Sequence, residues 1–303
     1  MISGRLFVLL AGITLISACA KGEEQLQQGL NPLPEIDFSS LSQHDTNPLA
    51  AKALTITPQA WRHGETDHFI YHFVHSYVVT PLAVEAEFYF RVIAKELGQA
   101  ETAAAGGKSD IYIFEKPDDW KIFQTHADLE PWTGGIHSRG SLFIVRDPSY
   151  KFAGHSLGHE IAHLLLFRFY GDNIPRWLNE GFAEYVSRIG HASFQRARDY
   201  HAQAHSRSIS TDRLIPLSQL IAMDYPPAEK ISTFYDQSER LVRFLITTNK
   251  ASFLNMLGAL AKGEPFDTAL SRNYSGRFLD VSALEQEFAA YASKDAGTSF
   301  STE

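Results

Sequence analysis

Residues 155–185 read HSLGHEIAHLLLFRFYGDNIPRWLNEGFAEY, and the fold turns on this stretch. His159 and His163 stand at i and i+4, so on a helix both imidazoles leave one face a single turn apart and can reach one cation. Glu160 is rotated by about 100° from His159, close enough to act on a water without competing as a ligand. Leu157, Ile161, Leu164 and Leu165 fall opposite the histidines and give the helix an apolar back. A Gly171-Asp172-Asn173 turn follows. Pro175 suits the first turn of a second helix, and Gly190 is expected just past its end. Leu178, Phe182, Tyr185, Val186 and Ile189 share one face of that helix, with Glu180 and Glu184 opposite, one turn apart. A HExxH string alone is weak, and two glutamates alone read as a solvated helix face. A helical hairpin changes that, because it folds Glu180 back onto the two histidines. Two imidazoles and one carboxylate make a Zn2+ site with one tetrahedral position left open, the donor set of a hydrolytic centre.

The rest of the chain bounds the reading. The 303 residues carry a formal charge of -8 and no run of Lys or Arg, so no nucleic-acid partner is expected. Cys19 is the single cysteine, which rules out an intramolecular disulfide and a Cys-rich metal site. Residues 1–18 place Arg5 before an apolar run too short to span a bilayer, the layout of a secretory signal. Ile16-Ser17-Ala18-Cys19 resembles the lipobox of bacterial lipoproteins, which implies cleavage before Cys19, lipid attachment to it and a membrane contact through that anchor. Ala20 then favours, by the same resemblance, the periplasmic face of the outer membrane. Residues 19–65 are expected to be a lipidated cysteine and a flexible tether.

Ordered structure is expected over residues 66–293, with 294–303 a disordered tail. His68–Val74 and Asp110–Phe114 read as strands. A helix is predicted from after Pro81 to Leu97, stopped by Gly98, and a short one from Pro117 carrying Trp120 and Phe123. A glycine-rich turn at 132–135 leads to a third strand, Ser141 to Arg146.

HEIAH followed by WLNEGFAEY is similar to the gluzincin zinc peptidases, the group of thermolysin and the aminopeptidase N type, and most to its smaller peptidase MA-like members. The resemblance implies an α+β, thermolysin/gluzincin-like catalytic domain, with a small β-sheet upper subdomain over the zinc-binding helical hairpin and a helical lower subdomain. It implies Zn2+ on His159, His163 and Glu180, with Glu160 as the catalytic base. Glu184 then holds a zinc histidine from behind, and Asn179 ties the two helices together. Phe234-Tyr235-Asp236-Gln237-Ser238 resembles the family's segment whose tyrosine faces the zinc, which gives Tyr235 the oxyanion; His201 or His205 is the alternative donor. In such enzymes the strand just upstream of the zinc helix, here 141–146, often forms the edge against which a peptide is laid; an internal strand is the equal alternative. The upstream Thr133-Gly134-Gly135-Ile136-His137 lacks the glutamate by which the aminopeptidases grip a substrate's amino terminus. An endopeptidase acting on a peptide or protein substrate is therefore expected over an aminopeptidase. The competing reading is a catalytically quiet envelope binding factor with a structural zinc. Arg188, His191, Arg196, Arg198, His201, His205, Arg207 and Arg213 form a basic region between the second helix and Tyr235, either a lid over residues 190–215 or a solvated face.

Overall fold

A computed structural model of the protein describes residues 31–99, 107–130, 133–146, 154–197 and 214–295. Five strands form one sheet: β1 (Arg62–Glu65), β2 (Phe69–Phe73), β3 (Ser109–Phe114), β4 (Gly135–Ser138) and β5 (Ser141–Val145), in the order β1-β2-β3-β5-β4. The three central strands run parallel, and the two edges pair antiparallel. Alternation in β3 and β5 sorts side chains between two cores. Ile111, Ile113, Leu142 and Ile144 face the larger one, with α2 (Ser76–Glu96) and α4 (Gly154–Tyr170). Tyr112, Phe114, Phe143 and Val145 face the smaller one, with α1 (Pro48–Thr55) and α3 (Pro117–Ala127). The remaining helices extend the larger core: α5 (Arg176–Ala197), α6 (Leu217–Ile221), α7 (Ile231–Thr248), α8 (Lys250–Ala261), α9 (Phe266–Asn273) and α10 (Val281–Asp295). No described helix is long and apolar enough to cross a membrane. The mixed α+β class is as expected.

Three sequence expectations give way, and one left open is decided. The tether expected over 19–65 is folded from residue 31 onward. Ala50, Ala53 and Ile56 are buried in the smaller core, and Asn47 caps α1 by accepting from Leu49 N–H with Pro48 at the first helical position. Helix α2 begins at Ser76, so Pro81 lies inside it; the apolar contacts of Val79 and Leu82 outweigh the hydrogen bond that proline forgoes.

Of the two alternatives for the strand at 141–145 the interior one holds, and the sheet edge is β4, to which the sequence assigns no strand. Arg139 and Gly140, at φ of 46° and 89°, close the two-residue turn between them. Helix α5 runs on to Ala197, through Gly190. A Cβ at Gly190 would stand 2.7 Å from the Tyr89 ring, and one at Gly158 would stand 2.5 Å from it. Both glycines thus make room for Tyr89 between α4 and α5 rather than ending a helix. The signal segment, Cys19, the tail beyond Asp295, and His201 and His205 lie outside the described residues.

Candidate active site

Helices α4 and α5 form the expected hairpin, joined through Gly171 at φ of 77°, and their apolar backs are buried against the sheet and α7. The opposite faces meet. His159 Nε2 and His163 Nε2 are 3.0 Å apart, and Glu180 Oε2 lies 3.4 Å from the first and 3.5 Å from the second. Donors around a tetrahedral zinc, at bond lengths of about 2.0–2.1 Å, are about 3.3–3.4 Å apart. The three atoms therefore already stand near the spacing that such an ion imposes. They are the one group of three or more metal-ligating side chains among the described residues that could hold an ion.

Each histidine is held from behind. His163 Nδ1–H donates to Asn179 Oδ1 at 2.8 Å, which leaves its Nε2 lone pair aimed at the convergence point. His159 Nδ1 is 3.4 Å from Glu184 Oε1, an ion-pair contact longer than a well-aligned hydrogen bond. Glu184 is held in turn by Arg188, whose Nη2 also reaches Asp236 Oδ1 at 3.4 Å and whose Nη1 reaches Glu239 Oε2 at 3.7 Å. Arg188 thus ties α5 to α7 and is not a piece of a loose basic lid.

The electrostatics follow from this crowding. Burial opposes an imidazolium at His159, but Glu180, Glu184 and Glu160 outweigh it and raise its pKa to about 10. Burial likewise opposes charge on Glu180, yet His159 and His163 hold its carboxyl well below the usual carboxylate range.

Two contacts complete the surroundings. A methyl built on Gly135 would stand 3.3 Å from Glu160 Cγ, so the sheet edge β4 passes directly beside the glutamate. On the other side α7 comes so close to α5 that a Cβ on Gly181 would stand 2.5 Å from Ser238 O. That approach sets Tyr235 near Glu180. The phenol is half-buried and shifted up by burial and then by the charge of Glu180, against a hydrogen bond with Arg176.

A model of the peptidase MA superfamily matches residues 93–294, about two thirds of the chain. The chain belongs to the peptidase MA superfamily. A search of curated proteins found no match. Membership supports a peptidase, a hydrolase of peptide or protein substrates. Within this peptidase MA domain the structure brings together His159, Glu160, His163, Asn179, Glu180, Glu184 and Tyr235, all named from the sequence. Sequence reasoning missed Arg176 and the pairing of Arg188. Their signal was present: Arg176 precedes Glu180 by four positions and Arg188 follows Glu184 by four, the spacing at which helical side chains pair. It also missed the structural use of Gly181, which no local pattern reveals.

Proposed function

We propose that the protein is a zinc-dependent endopeptidase. The observation that carries the proposal is the convergence of His159 Nε2, His163 Nε2 and Glu180 Oε2 at near-tetrahedral spacing, with Glu160, next in sequence to His159, beside the edge strand β4. Zinc held there supplies Lewis acidity, which makes water more acidic and a carbonyl more electrophilic. The protein's part is positional. Glu160 takes the proton of the attacking water and returns it to the leaving amine. Tyr235 donates a hydrogen bond to the oxygen that gains charge in the tetrahedral intermediate; burial keeps its phenol protonated and able to donate. Asn179 and Glu184 fix the two imidazoles. The side of β4 that pairs with no described strand offers backbone N–H and C=O groups that bind an extended peptide without reading its side chains, which suits cleavage within a chain. The absence of an acidic residue in Gly134-Gly135-Ile136-His137 agrees with an endopeptidase.

The test is metal content and peptide cleavage in one variant of the purified protein. Glu160→Gln is expected to retain its metal and lose about 10²–10⁴-fold in kcat. Undiminished cleavage by that variant would falsify the mechanism. Cys19 and the apolar run before it further support attachment to the bacterial envelope by lipid. Metabolic labelling with a fatty acid should mark the protein, and Cys19→Ala should abolish the label.

A further inference from the structure

Arg176 is the first residue of α5 and stands one turn before Glu180. Its Nη2 lies 3.7 Å from Glu180 Oε1, the carboxylate oxygen that does not face the histidines. The guanidinium sits over the ring of Tyr225, 4.9 Å from its centroid, and that ring is 62 % exposed. Arg176 also lies close enough to Tyr235 to oppose the upward shift of its phenol. The side chain is 36 % exposed, while its Nε is buried without an acceptor, so donors left for a ligand are those of the terminal nitrogens.

The other arginine of this helix shows what saturation looks like. Arg188 reaches three carboxylates, Glu184, Asp236 and Glu239. Among the described residues Arg176 reaches one, at the long end of the ion-pair range, and Glu180 points its other oxygen at the two histidines. The aromatic plate fixes the plane of the guanidinium, so its fork is already oriented for a planar anion. Glu180 stands beside it, and the charges of Glu180 and Glu184 reach Tyr235, so a substrate carboxylate is repelled there except at the guanidinium. A half-exposed, pre-oriented cation beside Glu180 and near Tyr235 is built to accept one carboxylate beside the reacting bond.

We propose that Arg176, stacked on Tyr225, is a carboxylate-recognising subsite, and that the substrates present a carboxylate next to the bond that is cut. The carboxylate comes from an acidic side chain or from a free carboxyl terminus; the chemistry recognised is the same. This inference rests on the peptidase reading of the adjacent site.

Equilibrium binding separates the two ideas. The full mature chain carrying Glu160→Gln and loaded with zinc is titrated calorimetrically with three sets of alanine-based hexapeptides. The first is blocked at both ends with one Glu scanned through the positions, the second has Gln in its place, and the third has a free carboxyl terminus and no acidic side chain. One Glu register, or the free-acid peptide, should bind about 10–100-fold tighter than its Gln or amide counterpart, as expected of a charge-assisted pair. Adding Arg176→Gln should erase that preference and leave the Kd of the neutral peptides within about threefold. Arg176→Lys, which keeps charge and most packing, should restore part of it.

Equal binding of acidic and neutral peptides, a preference that survives Arg176→Gln, or no peptide binding at all would each overturn the subsite. Failure of the peptidase reading looks different. The wild-type protein would then cleave neither these peptides nor an unfolded protein, while the acidic preference in binding persisted.

Discussion

Among the described residues two pairs of histidines lie nitrogen to nitrogen, and only one of them has the surroundings of a metal site. His159 and His163 meet at 3.0 Å, and His63 and His72 meet at 2.8 Å, Nδ1 to Nδ1, near the far edge of the sheet. Each pair has a carboxylate partner, but on different sides. Glu180 approaches the very nitrogens that face each other. Asp110 instead bonds His72 Nε2 at 3.0 Å, on the opposite side of the ring, so no third donor reaches the gap. The charges differ accordingly. His159 is driven up to about 10 by carboxylates, whereas burial, and then the neighbouring His72, pushes His63 down to about 4. Proximity of imidazoles is therefore not what makes a candidate centre; convergence of a third, anionic donor is.

Removing that donor should make the first pair resemble the second. Glu180→Ala is expected to lower zinc affinity by at least about 100-fold, since it deletes a charged ligand and leaves two buried imidazoles. Competition with a chromogenic chelator measures it; wild-type affinity in the variant would remove Glu180 from the ligand set. Glu184→Ala tests the support behind His159 and should cost about 10–100-fold in the same assay. Asn179→Ala, which removes a neutral bond, should fall at the lower end of that range.

Gly181→Ala leaves every ligand in place and attacks the packing that brings α7 to the site. Its methyl meets backbone of α7, which cannot swing aside as a side chain does. A destabilisation of about 1–3 kcal/mol and a loss of up to about 100-fold in kcat are expected, with zinc affinity changed far less. Equal loss of metal would mean that α7 shapes the ligands and not only the placement of Tyr235.

How much of this was legible in the sequence depends on where each residue's partners lie. The helical hairpin and its polar face were readable because ligand and support positions repeat at one-turn spacing within two helices. Strand β4 was not, because Gly135–Ser138 is short, only partly buried and lacks an apolar alternation; pairing to β5 creates it. The folded segment from residue 31 was hidden by the small residues it buries, Ala50 and Ala53, although Asn47-Pro48 carried a helix-start signal. Gly190 looked like a helix end because its reason, the ring of Tyr89, comes from a different helix.

The two pairs should also respond to protons in opposite ways. With its pKa raised to about 10, His159 carries a proton at pH 7 in metal-free protein, shared with the surrounding carboxylates. Zinc binding should therefore release about one proton at that pH, read as a dependence of the binding enthalpy on buffer ionisation. For His63 the sign is reversed. Its folded-state pKa, about 4, lies below the unfolded value of about 6.5, so the unfolded chain binds the extra proton between them. The contribution to stability is fully present above pH 6.5 and is lost as the pH falls toward 4. His63→Asn keeps a donor at the δ position for His72 but cannot titrate. It should flatten the acid side of the stability profile by an amount equivalent to about 2–4 °C in Tm, what about 1 kcal/mol does in a chain of this size. Profiles of wild type and variant that stay parallel between pH 4 and 6.5 would show that His63 is not held neutral by burial, and the contrast with the first pair would then rest on Glu180 alone.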